Sequence, residues 1–252
     1  MSFEVDAAAY GEFMGRYSEQ LAAEFAAYVG ANSGQRALDV GSGPGALTAV
    51  LVERLGAQAV TAVDPSASFV SAIRHRLPDV DVRQAGVERL PFPDKSFDLV
   101  LAQLVVHFLE DPSAGIAEMA RVTRPGGVVA ACVWDHAGSL GPLGTFWRAA
   151  RELDPNARDE SAMPGTREGH LVELFQSAGL HPVEQTALTV SASFAGADAW
   201  WRPFTLGVGP VGTYVASLAP EHRERLRARC AELLPPGPFT VEATAWTAKA
   251  RV

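Results

Sequence analysis

Short apolar runs alternate with amphipathic stretches along the first 136 residues of the chain. The runs are rich in β-branched and other apolar residues, which is typical of strands that are covered on both faces of a sheet. We predict strands at residues 36–40, 59–64, 80–85, 97–102 and 127–134, and helices at 45–56, 66–77 and 113–124. This alternation predicts a parallel, doubly wound sheet whose ligand crevice lies at the carboxyl ends of the strands.

The pattern changes before and after this region. Residues 10–30 have the period of an amphipathic helix that ends at Gly30, and residues 166–180 predict another helix with a glycine C-cap. Apolar and polar residues alternate over 181–194 and again over 239–252. Because this alternation is typical of strands, we predict that the two segments form an antiparallel pair that closes the sheet.

Together these patterns predict an α/β, Rossmann-like fold with helical cap insertions. We expect a doubly wound, mostly parallel sheet of seven strands in which the last strand is antiparallel. We also expect a single domain over residues 1–252, with an N-terminal helix region, a cofactor-binding half and two cap insertions. The N-terminal helix region covers residues 1–30, the cofactor-binding half covers 31–136, and the two cap insertions cover 137–166 and 195–238.

The charge balance narrows the choice of ligand. The chain has 21 basic and 29 acidic residues, for a net charge of −8. Acidic residues are interleaved in the one dense basic cluster of the sequence, 221–230, which is typical of a solvated helix face. A nucleic-acid-binding face usually needs a basic stripe. We therefore expect no nucleic-acid partner, and the balance favours a neutral or cationic small molecule.

The sequence lacks the patterns of a metal-binding, secreted or membrane-spanning chain. Cys132 and Cys230 have no metal-site spacing and no partner histidine at such a spacing. The N-terminus carries no secretory signal, and no apolar run approaches the roughly 18 residues that a membrane-spanning helix needs. We expect no metal, no membrane association and a cytoplasmic location.

The chemistry begins at the turn after the first predicted strand. Gly41, Gly43 and Gly45 lie there and open a helix, and such glycines let a ligand approach the backbone closely. Asp64 closes the second strand, where an acidic side chain can bind two ribose hydroxyls through charge-assisted hydrogen bonds. Alternatively, Asp64 is only a helix N-cap. The spacing predicts a ligand that contains a ribose.

Residues 41–46 also fit the dinucleotide fingerprint G-x-G-x-x-A. Two neighbours favour a different ligand. The carboxylate of Asp39 would repel a pyrophosphate but attract a cationic amino acid group. Pro44 removes one N–H group from the loop that would bind a phosphate. Asp39 has a second interpretation, in which it only hydrogen-bonds the amides of the loop.

With five motifs in register, residues 37–134 resemble the class I S-adenosylmethionine-dependent methyltransferases. The resemblance is to the branch that methylates ubiquinone precursors and many small molecules. The segment "FMGRYS" (13–18) is similar to the N-terminal helix of some members. The five motifs are "LDVGSGPGALT" (38–48), "VTAVDPS" (60–66), "GVERLPFPDKSFD" (86–98), "FDLVLAQLVVHFLEDP" (97–112) and "EMARVTRPGGVV" (118–129).

The resemblance implies S-adenosyl-L-methionine as cofactor and S-adenosyl-L-homocysteine as product. It implies that Asp39, Gly41 and Gly43 face the methionine part, that Asp64 binds the ribose and that Gln103 offers its backbone to the ammonium group. Family members often have Asp-Ala-Glu where this chain has Gly86-Val87-Glu88, so the backbone of Val87 is left to bind the adenine. The remaining expected cofactor residues are Ser42, Pro65, Ser66, Arg16 and Tyr17.

His107 is the candidate catalytic residue, because it follows the fourth strand and a neutral imidazole can accept a proton from a hydroxyl acceptor. Its alternative is a packing role in an apolar turn. Asp135 and His136 follow the fifth strand and are also expected near the crevice. Their alternative is an ordinary role in capping the loop. Trp134, Trp200, Trp201 and Phe204 are expected either to line an aromatic substrate pocket or to fill the core of the cap.

We expect methyl transfer to a small-molecule acceptor by in-line displacement, in a monomer or homodimer. One alternative is a protein that binds S-adenosylmethionine or S-adenosylhomocysteine without catalysis. A second is an NAD-dependent oxidoreductase, although no tyrosine of the chain has a lysine four residues further on. A nucleic-acid methyltransferase is disfavoured by the charge and by the absence of an Asn-Pro-Pro-Tyr-type motif after the fourth strand.

Overall fold

Seven strands form one sheet in the computed structural model, which describes residues 7–252. They are β1 (Ala37–Val40), β2 (Val60–Asp64), β3 (Asp81–Gln84), β4 (Phe97–Gln103), β5 (Thr123–Trp134), β6 (Val183–Phe194) and β7 (Phe239–Arg251). Their order is β3-β2-β1-β4-β5-β7-β6. Only β7 runs antiparallel to its neighbours, β5 and β6. The predicted Rossmann-like, mostly parallel sheet with an antiparallel last strand is confirmed.

The helices cover both faces of this sheet. The described part of the chain contains α1 (Ala7–Tyr10), α2 (Arg16–Tyr28), α3 (Ala46–Leu55), α4 (Ala67–Arg76), α5 (Pro112–Val122), α6 (Gly144–Leu153), α7 (His170–Ser177), α8 (Ala197–Trp201), α9 (Gly209–Ser217) and α10 (Pro220–Leu233). Side chains of α2, α3 and α4 fill one core with one face of the sheet, and those of α5 and α7 fill a second core on the other face. Burial of both faces is why the central strands are apolar throughout.

The N-terminal helix differs from the prediction of one continuous helix over 10–30. A π-helical segment, Gly11–Gly15, separates α1 from α2 and is bounded by a glycine at each end. Its residues Phe13 and Met14 are buried under the cap. The rest of the predicted region 1–30 includes residues 1–6, which lie outside the described residues.

The junction of α5 and β5 also differs from the prediction. We expected a helix to residue 124 and a strand from 127, but α5 ends at Val122 and β5 begins at Thr123. Thr123 already has extended backbone angles, and it pairs with Phe97 ahead of a register shift between β4 and β5. The Thr123 hydroxyl donates to the carbonyl of Met119 and so caps the helix end. The predicted division into domain parts stays a prediction.

Candidate functional site

A cleft with a volume of about 310 Å³ opens at the carboxyl ends of β1, β2 and β4. This is where the crossovers of a doubly wound sheet leave room for a ligand. Most of the residues that the sequence suggested for the cofactor line this cleft. They are Asp39, Gly41, Ser42, Gly43, Asp64, Pro65, Gly86, Val87, Glu88 and Gln103.

The loop between β1 and α3 closes one side of the cleft in a conformation that requires glycine. Gly41 has a φ of +66°, and a Cβ atom added there would lie 2.5 Å from Cγ2 of Val105. Val105 belongs to the segment that follows β4 and also lines the cleft. A side chain at position 41 would therefore strain the backbone and push the loop away from β4.

The backbone N–H groups of this loop already have partners within the protein. Gly41 and Ser42 donate to the carbonyl of Val63, and Gly45 donates to the carbonyl of Ser42. Gly43 donates to the Asp64 carboxylate, and Pro44 has no N–H group. A phosphate-binding loop needs N–H groups that point at the ligand. The loop from Gly41 to Gly45 is therefore poorly suited to bind a pyrophosphate.

Asp64 connects the glycine loop after β1 with the turn that leads from β2 into α4. Its Oδ2 accepts from the Gly43 N–H and its Oδ1 from the Ser66 N–H, each at 2.8 Å. Burial raises the pKa of this carboxyl, and the two backbone hydrogen bonds oppose the rise. Each carboxylate oxygen has further acceptor capacity, so the side chain can hold the loops and bind a hydroxyl pair in the cleft at once.

Asp39 belongs to the lining of the cleft but is almost fully buried. Its Oδ2 accepts a hydrogen bond of 2.6 Å from the Thr48 hydroxyl of α3, rather than from the amides of the glycine loop. Burial raises the pKa of Asp39 to about 7, the Thr48 hydrogen bond opposes the rise, and the charge of Asp64 adds to it. A carboxylate in this state gains from a nearby cation, which stabilises its ionised form.

The cleft offers acceptors and negative charge. Asp39, Asp64, Glu88 and Glu110 line it, whereas no Lys, Arg or His side chain among residues 7–252 does so. Two further residues of the lining, Ser18 and Gln103, each have a buried side-chain oxygen without a hydrogen-bond partner within the described chain, the Ser18 hydroxyl and Oε1 of Gln103. These atoms suit a ligand that carries a positive charge and hydrogen-bond donors.

Three of the suggested cofactor residues do not line the cleft. Ser66 caps α4 by accepting from the Phe69 N–H. The guanidinium of Arg16 lies over the Phe194 ring of β6, 4.6 Å from its centre. Tyr17 is buried with its ring 6.2 Å from that of Trp134. Contacts of these three residues with a cofactor stay a prediction.

His107 lies behind the cleft wall. The neighbouring Phe108 lines the cleft, and the buried imidazole of His107 has ring-centre distances of 3.8 Å to Phe108 and 6.2 Å to His136. Burial and the nearby His136 lower the pKa of His107 well below its usual value, so the ring is neutral. Its Nδ1 has no hydrogen-bond partner within residues 7–252. A role for His107 in proton transfer stays a prediction.

The four aromatic residues suggested for a substrate pocket are buried outside the cleft. Trp134 ends β5, whereas Trp200, Trp201 and Phe204 belong to an aromatic cluster in the cap. Phe204 packs edge-on against Trp200 at 4.6 Å and against Phe13 at 5.9 Å between ring centres. This packing fits the alternative interpretation of hydrophobic filling, and their contact with a substrate stays a prediction.

Sequence reasoning missed several lining residues from segments that only the fold brings to the cleft. Tyr10 lies against Phe69, and its ring comes from the segment before the π-helix. Ser18 comes from α2, and Phe108 and Leu109 follow β4. The quoted motif at 97–112 includes the last two, but its apolar character gives no sign of a ligand contact.

Both cysteines are free and buried. Residues 7–252 contain no group of three or more His, Cys, Asp or Glu side chains placed to hold a metal ion. None of the helices in this range is both long enough and apolar enough to cross a membrane.

Comparison with known proteins points to one family. A family model described as "Methyltransferase domain" matches residues 38–131. An uncharacterized methyltransferase of Mycobacterium tuberculosis is 36% identical over 156 residues, which cover 60% of this chain and 58% of the relative. The match thus spans somewhat over half the length of that relative.

A second relative is covered nearly in full. Phosphatidylethanolamine N-methyltransferase of Cereibacter sphaeroides is 31% identical over 193 residues, or 74% of this chain and 90% of that protein. Phosphoethanolamine N-methyltransferase 2 of Haemonchus contortus, solved with S-adenosylhomocysteine, has a TM-score of 0.60 at 16% identity. That similarity covers 97% of this chain and 56% of the other, and it shows the fold alone.

Proposed function

The chain belongs to the class I S-adenosylmethionine-dependent methyltransferases, and we propose that it transfers a methyl group from S-adenosylmethionine to a small-molecule acceptor by in-line displacement. The chain covers only part of several relatives, and their names include different acceptors, so the acceptor is inferred from the site. The expected partner is one small molecule per active site.

The observation that carries this proposal is the charge of the cleft. Four carboxyl side chains line it, and no basic side chain of residues 7–252 does. The sulfonium and ammonium groups of S-adenosylmethionine are attracted to such a lining, whereas the pyrophosphate of NAD is repelled. The engaged N–H groups of the glycine loop support the same ligand.

The residues of the cleft fit the parts of this cofactor. We assign the Asp64 carboxylate to the ribose hydroxyls and the backbone of Val87 to the adenine. The unpartnered Ser18 hydroxyl and Gln103 Oε1 accept from the ammonium group, with Asp39 as the nearby counter-charge. Pro65 and Gly86 then lie along the adenosine, and Gly41 and Gly43 allow the methionine part to approach the backbone.

S-adenosylmethionine supplies a methyl group that is already activated by its sulfonium. The protein then has to exclude water and hold the acceptor in line with that methyl group, and such alignment contributes roughly 7–11 kcal/mol to lowering the barrier. A base is needed only for an acceptor that has to lose a proton. His107 is the side chain we assign to that role because it lies next to Phe108 of the cleft lining; burial keeps its imidazole neutral, and the lowered pKa makes it a weak base that suits only a readily deprotonated acceptor.

Ligand binding to the purified protein tests the cofactor assignment. We expect S-adenosylmethionine and S-adenosylhomocysteine, each at about 100 times its Kd, to add about 2.7 kcal/mol to the free energy of unfolding. That raises Tm by several degrees in a chain of this size. NAD should leave Tm unchanged. A rise with NAD alone would mean that the glycine loop is a dinucleotide site.

Product release tests the transfer itself. Wild-type protein that binds S-adenosylmethionine should release S-adenosylhomocysteine when a suitable acceptor from a panel of alcohols, phenols and amines is added. Binding of the cofactor without release for any acceptor class would favour the alternative of a non-catalytic binder. In that case the assignment of the cleft stands and the assignment of the reaction fails.

A further inference from the structure

Tyr10, the last residue of α1, lines the cofactor cleft next to α4. Its ring packs edge-on against that of Phe69, with 5.5 Å between the ring centres. Phe69 also lines the cleft and is buried, so Tyr10 packs on a fixed surface. Because α4 begins three residues after Asp64 ends β2, this contact places Tyr10 beside the part of the cleft assigned to the ribose.

The phenol of Tyr10 and the carboxylate of Asp64 are close enough to influence each other. Burial raises the pKa of Tyr10 to about 12, and the charge of Asp64 adds to the rise. The phenol is therefore neutral near pH 7 and keeps its proton as a hydrogen-bond donor. Asp64 accepts from the N–H groups of Gly43 and Ser66, and Tyr10 takes part in neither bond. The cleft thus has a donor and an acceptor in the same region.

A hydroxyl group of a ligand needs both kinds of partner, because it has a proton to donate and lone pairs that accept. The carboxylate of Asp64 can only accept, so it leaves the lone pairs of the hydroxyl without a partner. The phenol of Tyr10 supplies the donor. Together the two side chains suit a ribose hydroxyl better than either does alone.

The π-helical segment between α1 and α2 accounts for the position of Tyr10. In a continuous α-helix two turns take about seven residues, so Tyr10 would share a face with Tyr17. Tyr17 packs against Trp134, whereas Ser18 lines the cleft. Because a π-helical turn closes i→i+5 hydrogen bonds, it takes up one residue more than an α-helical turn. The segment Gly11–Gly15 therefore turns Tyr10 by one position, onto the face of Ser18.

The cap holds this segment in place. Glu12 forms an ion pair of 2.9 Å with Arg202 of the cap, and the buried Phe13 packs against the aromatic cluster there. Single π-helical turns within α-helices are rare and occur frequently at functional sites. Here the turn brings an aromatic donor to the ligand cleft.

Building on the proposed function, we infer that Tyr10 is a specificity-determining residue for the ribose of the cofactor. Its phenol donates to a ribose hydroxyl whose own proton is accepted by Asp64, and the π-helical segment orients the phenol for this contact. Among the N-terminal helices, Tyr10 thereby takes a role that the sequence suggested for Arg16 and Tyr17, which do not line the cleft.

Calorimetry with two ligands tests the contact. S-adenosylhomocysteine is compared with its 2′,3′-dideoxy analogue, which lacks both ribose hydroxyls. Tyr10→Phe removes only the phenol oxygen, so we expect it to weaken binding of S-adenosylhomocysteine about fivefold, as for the loss of one hydrogen bond, and to leave binding of the analogue unchanged. The matched control is Tyr28→Phe at the end of α2, outside the cleft, which should change neither affinity.

Deletion of Gly11 tests the role of the π-helical segment. Gly11 is exposed, and nothing lies within 4 Å of a Cβ built there, so Gly11→Ala is a control that keeps the length of the segment. The deletion turns Tyr10 away from the cleft and should weaken binding of S-adenosylhomocysteine at least as much as Tyr10→Phe does. Tyr10→Phe in the deletion background should then have no further effect, and Gly11→Ala should bind as the wild type does.

Three outcomes would overturn the inference. They are an unchanged affinity for S-adenosylhomocysteine in Tyr10→Phe, an equal loss of affinity for the dideoxy analogue, and full affinity after deletion of Gly11. The wild-type protein keeps the two proposals separate. Wild-type binding of S-adenosylhomocysteine that Tyr10→Phe leaves unchanged refutes the role of Tyr10 alone, whereas absence of wild-type binding refutes the proposed function.

Discussion

A single carboxylate, that of Asp64, has two tasks in this site. It holds the glycine loop and the start of α4 together through the N–H groups of Gly43 and Ser66, and it faces the ligand cleft. Both tasks use acceptor capacity of the same two oxygens. Replacement of this side chain should therefore affect the free energy of unfolding and ligand affinity together.

For Asp64→Ala we expect at least a tenfold loss of affinity for S-adenosylmethionine. Removal also leaves two partly buried N–H groups without an acceptor, which should lower the free energy of unfolding by about 1–3 kcal/mol. Calorimetry and urea denaturation measure the two effects. The control is Asp79→Ala, an exposed carboxylate away from the cleft, which should change neither. Unchanged cofactor affinity in Asp64→Ala would refute the ribose assignment.

Asp39 should make the stability of the ligand-free protein depend on pH. Burial raises its pKa in the folded state to about 7, above the ordinary value of 3.8. A raised pKa means that its contribution to stability is fully present below about pH 4 and is lost as the pH rises through 7. The ionised carboxylate at pH 8 therefore destabilises the folded chain until a cation binds nearby.

We accordingly expect Asp39→Asn to raise the Tm of the ligand-free protein by a few degrees at pH 8 and by less at pH 6. The amide oxygen can still accept from Thr48. The same variant should bind S-adenosylmethionine several-fold more weakly, because the counter-charge is gone. Thermal melts at both pH values measure the first effect, and an equal change in Tm at both would contradict it.

The sequence predicts which residues line the cleft where a motif ties them to the end of a strand. Asp39, Gly41 and Asp64 follow this rule, because strand ends converge at one edge of a parallel sheet. Tyr10 and Ser18 reach the cleft only through the way the N-terminal helices pack over the sheet.

At the scale of elements, the glycine loop is held in position by the segment after β4. Gly41→Ala should lower the free energy of unfolding by about 2–4 kcal/mol, because a positive φ and a contact with Val105 are both unfavourable. Gly34 also has a positive φ, +89°, but a Cβ added there would meet open space. Gly34→Ala should therefore lower the free energy of unfolding by only about 1 kcal/mol. Urea denaturation compares them.

A double variant isolates the contact between the elements. Val105→Ala in the Gly41→Ala background removes the methyl groups nearest to the new Cβ, and we expect it to recover part of the lost stability. Equal costs for Gly41→Ala and Gly34→Ala would show that backbone strain alone matters and that the loop does not depend on β4.

Strands and helices are predictable from the chain wherever both faces of the sheet impose a clear pattern. The bounds of β1 to β4 and of α3 and α4 differ from the predictions by a residue or so at each end. The π-helix at Gly11–Gly15 was not predictable, since its buried Phe13 and Met14 are also compatible with an ordinary amphipathic helix. The early start of β5 depends on pairing with β4, which is remote in sequence.

At the scale of the whole molecule, the negative charge of the protein should make its affinity for a ligand depend on the charge of that ligand. The chain carries a net charge of −8. Some of its carboxyl groups line the cleft, and no basic residue of the described range does. S-adenosylmethionine carries one more positive charge than S-adenosylhomocysteine, at the sulfonium. The long-range field and the cleft therefore favour the substrate form of the cofactor over the product form.

The salt dependence of affinity distinguishes this electrostatic preference from recognition of ligand shape, because the two ligands have nearly the same shape. Raising NaCl from about 20 to 500 mM shortens the screening length from roughly 20 Å to about 4 Å. We expect the affinity for S-adenosylmethionine to fall several-fold and that for S-adenosylhomocysteine to fall less, as measured by calorimetry at fixed pH. Glu110→Gln, at the cleft lining, should reduce the difference between the ligands. An equal salt dependence for both would mean that the sulfonium is not recognised by charge, and the carboxylates of the cleft would then act only as hydrogen-bond acceptors.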